Sequence, residues 1–217
     1  MRWRWPVVLF DFDGTLADTL ALILASYRHT LADLEPDLTD EEIRTWIGRT
    51  LIDTLESRHP GRGEDLVVRY RTHNLEHHDR LLEPVAGLDT LLADLLASGV
   101  AVGVVSSKQG RTVRRGMRVA GLPDVEVVVG LQDTTEHKPS PAPLLEGARR
   151  LGVGPAEVSP QRCVYVGDAW VDVAAARAAG MASIGVTWGA GSREELADAD
   201  QLVADVEQLR AVLLTDG

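Results

Sequence analysis

Two acids two residues apart, Asp11 and Asp13, stand where an apolar run ends, in the stretch Val-Val-Leu-Phe-Asp-Phe-Asp-Gly-Thr from Val7 to Thr15. Alternation along an extended backbone aims residues two apart toward one space. Carboxylates held that close repel, so either one takes a proton or a cation sits between them. Both states are useful. One carboxylate can act as a nucleophile and its neighbour as an acid and base, while a divalent cation offsets the charge of an incoming phosphate. An isolated Asp-x-Asp is more often a pair of solvated loop acids, so the reading depends on what the rest of the chain brings to the same place.

Three more apolar runs end in, or lead to, polar groups of the same chemical kind. Val100 to Val105 ends in Ser106-Ser107-Lys108, and Val125 to Val129 leads through a polar loop to His137-Lys138-Pro139. Cys163 to Val166 ends in Gly167-Asp168, with Asp172 four residues later. Of 22 basic residues, all but Lys108 and Lys138 are arginine. A lysine in such a chain points to a place where a compact ammonium can stand against a phosphoryl oxygen and a planar guanidinium would crowd it. Several carboxylates, a hydroxyl and a lysine suit Mg²⁺ bound by few carboxylates, water and a substrate phosphate.

The elements that must position these groups are short buried strands alternating with helices after Pro84 and Gly87, hence a parallel sheet covered on both faces. Ligands of such sheets bind beyond the carboxyl ends of the strands, where all four polar groups fall. Between Leu16 and Leu82 the pattern is helical only. Leu16, Leu20, Ile23, Leu24, Tyr27 and Leu31 recur at helical spacing, with Thr15 or Asp18 as a cap. Thr39 to Glu42 is a capping box, and Pro60 to Gly63 breaks the chain before a last long helix. The expected architecture is α/β: a doubly wound, Rossmann-like parallel sheet built from residues 1–15 and 83–217, with an α-helical cap inserted at 16–82. Arg49, at a break between cap helices, could reach over the site to an anionic substrate group.

The net charge of −11 argues against a general nucleic-acid binder, and Arg111, Arg114, Arg115 and Arg118 read as a solvated helix face. No apolar stretch reaches membrane-spanning length, and Met1 to Pro6 lacks the apolar segment of a signal peptide. The single cysteine, Cys163, cannot form an internal disulfide and reads as a buried small hydrophobe. These features predict a cytoplasmic protein without nucleic-acid or membrane partners, and the phosphate-facing groups above add a small phosphorylated metabolite as the expected partner of a monomer or homodimer. His73-Asn74-Leu75-Glu76-His77 matches the H-x-x-E-H zinc pattern. Its neighbours Arg71, His78, Asp79 and Arg80 read instead as a solvated face.

The whole set resembles the haloacid dehalogenase-like (HAD) hydrolase superfamily, in particular its phosphoglycolate phosphatase-like branch with a helical cap. Asp11-Phe-Asp13-Gly14-Thr15 matches the first motif, Ser106 the second, Lys138 the third, and Gly167-Asp168 with Asp172 the fourth. The resemblance implies that Asp11 attacks phosphorus and becomes an aspartyl phosphate, while Asp13 protonates the leaving oxygen and then activates water. It implies Mg²⁺ held by Asp11, the Asp13 backbone carbonyl and Asp168. Ser106, with Ser107 beside it, and Lys138 would hold the phosphoryl group, supported by Asp172, Gly14 and Thr15. An acid at Asp13 fits cleavage of an oxygen ester rather than dehalogenation or phosphonate cleavage. Trp170 stands where a smaller or polar residue is expected, and Gly48-Arg49-Thr50 departs from the Gly-Pro-Pro-like pattern of phosphoglycolate phosphatases. The alternatives are a β-phosphoglucomutase-like sugar-phosphate mutase, a pyrophosphatase or nucleotidase, and a non-catalytic binding module.

Overall fold

The apolar run Val7–Phe10 forms a strand, β1, buried at all four positions. A two-residue strand, β2 (Ala17–Asp18), follows, then four helices: α1 (Leu20–Leu31), α2 (Asp40–Arg44), α3 (Leu51–Arg58) and α4 (Gly63–Leu81). The chain returns through β3 (Glu83–Pro84) and then alternates. It forms α5 (Leu88–Ala97), β4 (Ala101–Val105), α6 (Gly110–Val119), β5 (Val127–Val129), α7 (Ala142–Arg150), β6 (Cys163–Gly167), α8 (Trp170–Ala179) and β7 (Ala182–Val186), closing with β8 (Gln201–Val203) and α9 (Val206–Leu213). The computed structural model describes residues 2–214.

Six strands make one sheet in the order β5-β4-β1-β6-β7-β8, every neighbouring pair parallel. Successive side chains of a strand face opposite sides of the sheet, and β1 shows the consequence. Val8 and Phe10 join one core with Leu88, Leu91, Val113 and Met117. Val7 and Leu9 join the other, with Leu144, Ala148, Ala175 and Ala176. A strand covered on both sides must be apolar throughout, which is why Val-Val-Leu-Phe carries no alternation. Phe10 pairs in register with Val104 of β4 and Val166 of β6, so the residues that follow these three strands emerge side by side.

Helices α1 to α4 surround a third apolar cluster, containing Tyr27, Ile43, Trp46, Leu55 and Tyr70. Tyr27 lies edge-on to both Trp46 and Tyr70, with ring centroids 5.2 and 4.8 Å apart, the orientation that ring quadrupoles favour. The capping box at Thr39 is present: Glu42 N donates to Thr39 Oγ1, and Thr39 N donates to Glu42 Oε2.

The first helix begins later than the apolar spacing predicts. Thr15, Leu16 and Ala17 all donate backbone N–H groups to Phe12 O in a tight turn, and Ala17–Asp18 then pairs antiparallel with Glu83–Pro84. Leu16 and Leu82 accordingly belong to the core beneath the sheet, not to the helical cluster. Asp18 Oδ1 accepts from Leu20 N at 3.0 Å, as a start signal should, whereas Thr15 is used elsewhere. The strand expected from Val125 begins at Val127, and Arg114 on α6 donates to the Val125 and Glu126 carbonyls just before it. Among the described residues no helix is long and apolar enough to cross a membrane.

Candidate active site

Beyond the carboxyl ends of β1, β4 and β6 lie Asp11, Ser106 and Asp168, all buried. Lys138, on the loop before α7, and Asp172, in the first turn of α8, are buried beside them. The Lys138 ammonium is the hub. Its Nζ lies 2.7 Å from Asp172 Oδ1 and 3.1 Å from Asp11 Oδ1, and it donates to Tyr165 Oη at 3.0 Å. Tyr165 Oη in turn donates a hydrogen bond to Val105 O at 2.8 Å, which fixes the phenol oxygen as an acceptor for the lysine. Burial works against the charge on Lys138, but Asp11 and Asp172 outweigh it and hold the ammonium well above the usual lysine range. Asp172 spends its second oxygen on Ala169 N at 2.9 Å, at the start of α8. With both oxygens engaged, it is a positioning residue for Lys138.

Asp11 and Asp168 are poised differently. Burial, only partly offset by Lys138, pushes the Asp11 carboxyl up to about 7. Burial, reinforced by Asp172 and Asp11, pushes Asp168 well above the usual carboxylate range. Asp11 Oδ1 is buried and makes no hydrogen bond, its approach to Lys138 being an ion pair without hydrogen-bond geometry. Carboxylate oxygens of Asp11, Asp168 and Asp172 lie within 4.8 Å of one another, the one such three-ligand cluster among the described residues. Three buried carboxylates facing one ammonium leave negative charge uncompensated, and the donors are hard oxygens. The residues therefore fit a divalent cation, with the Asp11 oxygen that makes no hydrogen bond and the remaining lone pairs of Asp168, which unlike Asp172 does not pair with Lys138, available to ligate it.

Asp168 is clamped from several sides. Thr15 Oγ1 donates to its Oδ1 at 3.1 Å and Ala190 N to its Oδ2 at 2.7 Å, while Gly191 N donates to its backbone carbonyl at 3.0 Å. Gly14, in the left-handed region at φ +73°, and Gly189 both lie where a Cβ would overlap the Asp168 carboxylate. The expectation of Gly14 and Thr15 as supporting residues thus acquires a target. The loop Gly189–Gly191 was not read from the sequence, although two glycines flanking Ala190 just after a strand were a signal of close backbone approach.

Asp13 meets Lys108, whose Nζ donates to its Oδ1 at 2.5 Å. Both lysines of the chain therefore end on the first motif's acids, Lys138 on Asp11 and Lys108 on Asp13. Ser106 Oγ accepts from Lys108 N at 3.2 Å, leaving its proton for another acceptor. Ser107 is committed elsewhere: its hydroxyl donates to Gly48 O at 3.0 Å, joining the sheet end to the loop after α2. That loop comes close enough for a Cβ on Gly48 to strike Ala169 and Val171, and it sets the Arg49 guanidinium over the Trp170 ring, 5.7 Å from the centroid.

Part of this set lines one cavity of about 190 Å³, and Lys138, Asp168, Asp172 and Trp170 are not among its lining residues. Asp11, Asp13, Ser106, Ser107 and Lys108 form its sheet side; Ile23, Trp46, Leu51, Tyr70 and Leu75 belong to its helical side, with Arg49, Arg71 and Asn74. The H-x-x-E-H histidines are elsewhere. His29, His73 and His77 stack as rings 4.4 and 4.1 Å apart, and His77 Nδ1 faces the His73 carbonyl at 2.9 Å. Parallel rings do not converge on an ion, and the cluster of candidate ligands does not include them. Cys163 is buried in the sheet as expected.

Residues 8–186 match the family model described as haloacid dehalogenase-like hydrolase. A pyrophosphatase from Bacillus pumilus is 40% identical over 192 residues, covering 87% of this chain and 86% of that one. Among solved structures, a haloacid dehalogenase-like protein from Bacteroides fragilis superposes with a TM-score of 0.85 at 28% identity, over 94% of this chain and 99% of the other. A β-phosphoglucomutase from Clostridium difficile shares the fold, with a TM-score of 0.79 at 20% identity over 94% and 93% of the two chains. The chain belongs to the haloacid dehalogenase-like hydrolase family.

Proposed function

We propose that this protein is a Mg²⁺-dependent phosphatase that hydrolyses a small phosphomonoester through an aspartyl-phosphate intermediate. The observation that carries the reading is the convergence, at the carboxyl end of the sheet, of an under-bonded buried carboxylate (Asp11) and a second acid two residues on (Asp13), both following β1, with a buried lysine (Lys138) from the loop between β5 and α7. Asp11 attacks phosphorus in line, and the departing oxygen takes a proton from Asp13. In the second half Asp13 withdraws a proton from water as it attacks the acyl phosphate, which restores Asp11. Lys138 lies against Asp11 and supplies fixed positive charge as negative charge moves onto the transferring group; Ser106 has a hydroxyl proton for one of its oxygens. Lys108 holds the Asp13 carboxylate in place. Asp11 and Asp168 would hold Mg²⁺, which when bound offsets the charge of nucleophile and phosphate. The helical segment from α1 to α4 (Leu20 to Leu81) acts as a cap that carries substrate discrimination.

Inorganic pyrophosphate is a second reading, favoured by the name of the Bacillus pumilus relative at 40% identity. One experiment tests both: phosphate release from pyrophosphate and from a panel of phosphomonoesters, with Mg²⁺ and with chelator, ranked by kcat/KM. Metal-dependent release that disappears in Asp11→Asn supports the hydrolase, and the preferred compound chooses between the readings. Release that persists in Asp11→Asn removes the nucleophile assignment.

A further inference from the structure

Beyond the groups assigned to phosphorus, three more cations line the cavity: Arg49, Arg71 and Arg111. Arg49 lies over Trp170, and Arg111 Nε donates to Gln109 Oε1 at 3.0 Å. Arg71 makes no hydrogen bond, ion pair or ring contact among the described residues. Its own helix explains why. The positions three and four away, Val67, Val68, Asn74 and Leu75, offer no acid, and only those neighbours face it on a helix. Arg69, two residues earlier, turns outward and pairs with Asp33 at 3.1 Å.

A half-buried guanidinium without a carboxylate is out of place in a chain with 33 acids and a net charge of −11. Arg71 lines a cavity rather than open surface, and its neighbours there include Ile23, Leu51, Tyr70 and Leu75. Apolar walls lower the local dielectric, which strengthens any charge-assisted hydrogen bond made inside them. The guanidinium enters from α4, while Asp11 enters the same cavity from the end of β1. A ligand spanning the two would present phosphorus to one and another group to the other.

We infer that Arg71 is a specificity residue that holds a second anionic group of the substrate, a phosphate or a carboxylate, at the end away from the transferring phosphoryl group. The inference rests on the hydrolase reading for the position of that phosphoryl group, and is tested by binding so that the two can fail separately. Asp11→Asn protein in Mg²⁺ is titrated calorimetrically with pyrophosphate, which carries a second phosphate, 2-phosphoglycolate, which carries a carboxylate, and phenyl phosphate, which carries neither. The titrations are repeated with Arg71→Met, Arg71→Lys and Arg69→Met added.

Arg71→Met should weaken at least one of the two-anion ligands about 10- to 100-fold more than phenyl phosphate, the range of a lost charge-assisted hydrogen bond. Which ligand loses names the anion. Arg71→Lys should recover part of the loss, and Arg69→Met should leave the ratio where it began. Equal weakening of all three ligands, no change for the two-anion pair, or no binding of any ligand overturns the inference. Turnover by the unmodified chain is measured in parallel. No phosphate release from any of the three would remove the hydrolase reading, while the binding ratio would still judge Arg71.

Discussion

The two walls of the cavity are built on opposite plans. On the sheet side, Asp11 and Ser106 line the cavity and Lys138, Asp168 and Asp172 stand among the groups around them, all five buried, with Lys138 and Asp168 each fixed by several partners from distant strands and loops. On the helical side Leu75 is 38% exposed and Arg71 has no polar partner among the described residues, and at the seam Trp170 of α8, which faces Arg49, is 37% exposed. Charges that stabilise a transition state act best when they need no reorganisation, and the sheet supplies that rigidity. Discrimination between leaving groups asks for something else, side chains that can change without disturbing the buried charges. On the proposed function the helical wall offers such positions at Arg49, Arg71 and Leu75, which are half-buried or exposed, whereas Ile23, Trp46 and Tyr70 beside them are core residues of the helical cluster.

If this division is right, damage to the sheet side should be large and indifferent to substrate. Asp11→Asn should lower phosphate release at least about 10⁴-fold, the scale seen when a covalent nucleophile is lost, while circular dichroism shows an unchanged fold. Lys138→Arg should lower kcat about 10²- to 10³-fold. It keeps the charge, but a planar fork cannot meet Asp11, Asp172 and Tyr165 from one nitrogen. A tolerated arginine at this position would mean that the scarcity of lysine carried no message.

The same wall should be sensitive to pH when stripped of metal. The Asp11 carboxyl is pushed above its unfolded value of 3.8 to about 7 by burial. A raised carboxyl binds more protons folded than unfolded, so stability falls as pH rises from near 4 through about 7. In chelator, Asp11→Asn should therefore raise the melting temperature at pH 8 and leave it nearly unchanged at pH 4. A wild-type melting temperature that rises over this window would contradict the burial argument.

The smallest effect belongs to the seam. Trp170→Ala removes a cation–π contact at a partly exposed site, worth about 0.5–1 kcal/mol. It should change KM by about 2- to 5-fold with kcat nearly constant. A loss confined to kcat would instead place Trp170 on the sheet side of the comparison, and steady-state kinetics on one preferred substrate separates the two.

The sheet side was legible in the sequence, and the helical side was not. An apolar run that stops at a carboxylate, hydroxyl or lysine is a local signal, and parallel strands bring such stops together whatever the loop lengths. Lys108 to Asp13 spans 95 positions and Ser107 to Gly48 spans 59. Pairings of that range leave no periodicity, so Lys108 was read as a cation for a phosphoryl oxygen rather than as the partner of Asp13, and Ser107 as a phosphate ligand. Arg71 was read as part of a solvated face because helical spacing says which residues share a side, not what lies opposite it. Tyr165 gave no signal: a buried tyrosine in an apolar strand looks like core until its hydroxyl is seen against Lys138. The start of α1 was misplaced because the two-residue pairing of Ala17–Asp18 with Glu83–Pro84 depends on chain that returns only after four helices.

That short pairing has a consequence for how the molecule can change. Ala17 sits opposite Pro84 and Asp18 opposite Glu83 in a two-stranded ribbon separate from the main sheet, so everything between them leaves and rejoins the α/β core at one point. The entropy of closing such an excursion grows only with the logarithm of its length, about 0.6 kcal/mol for each doubling. Helices can therefore be lengthened, shortened or exchanged within the excursion at little cost to the sheet that carries Asp11. The ribbon works as a graft point: one hydrolytic stock onto which different recognition surfaces can be spliced.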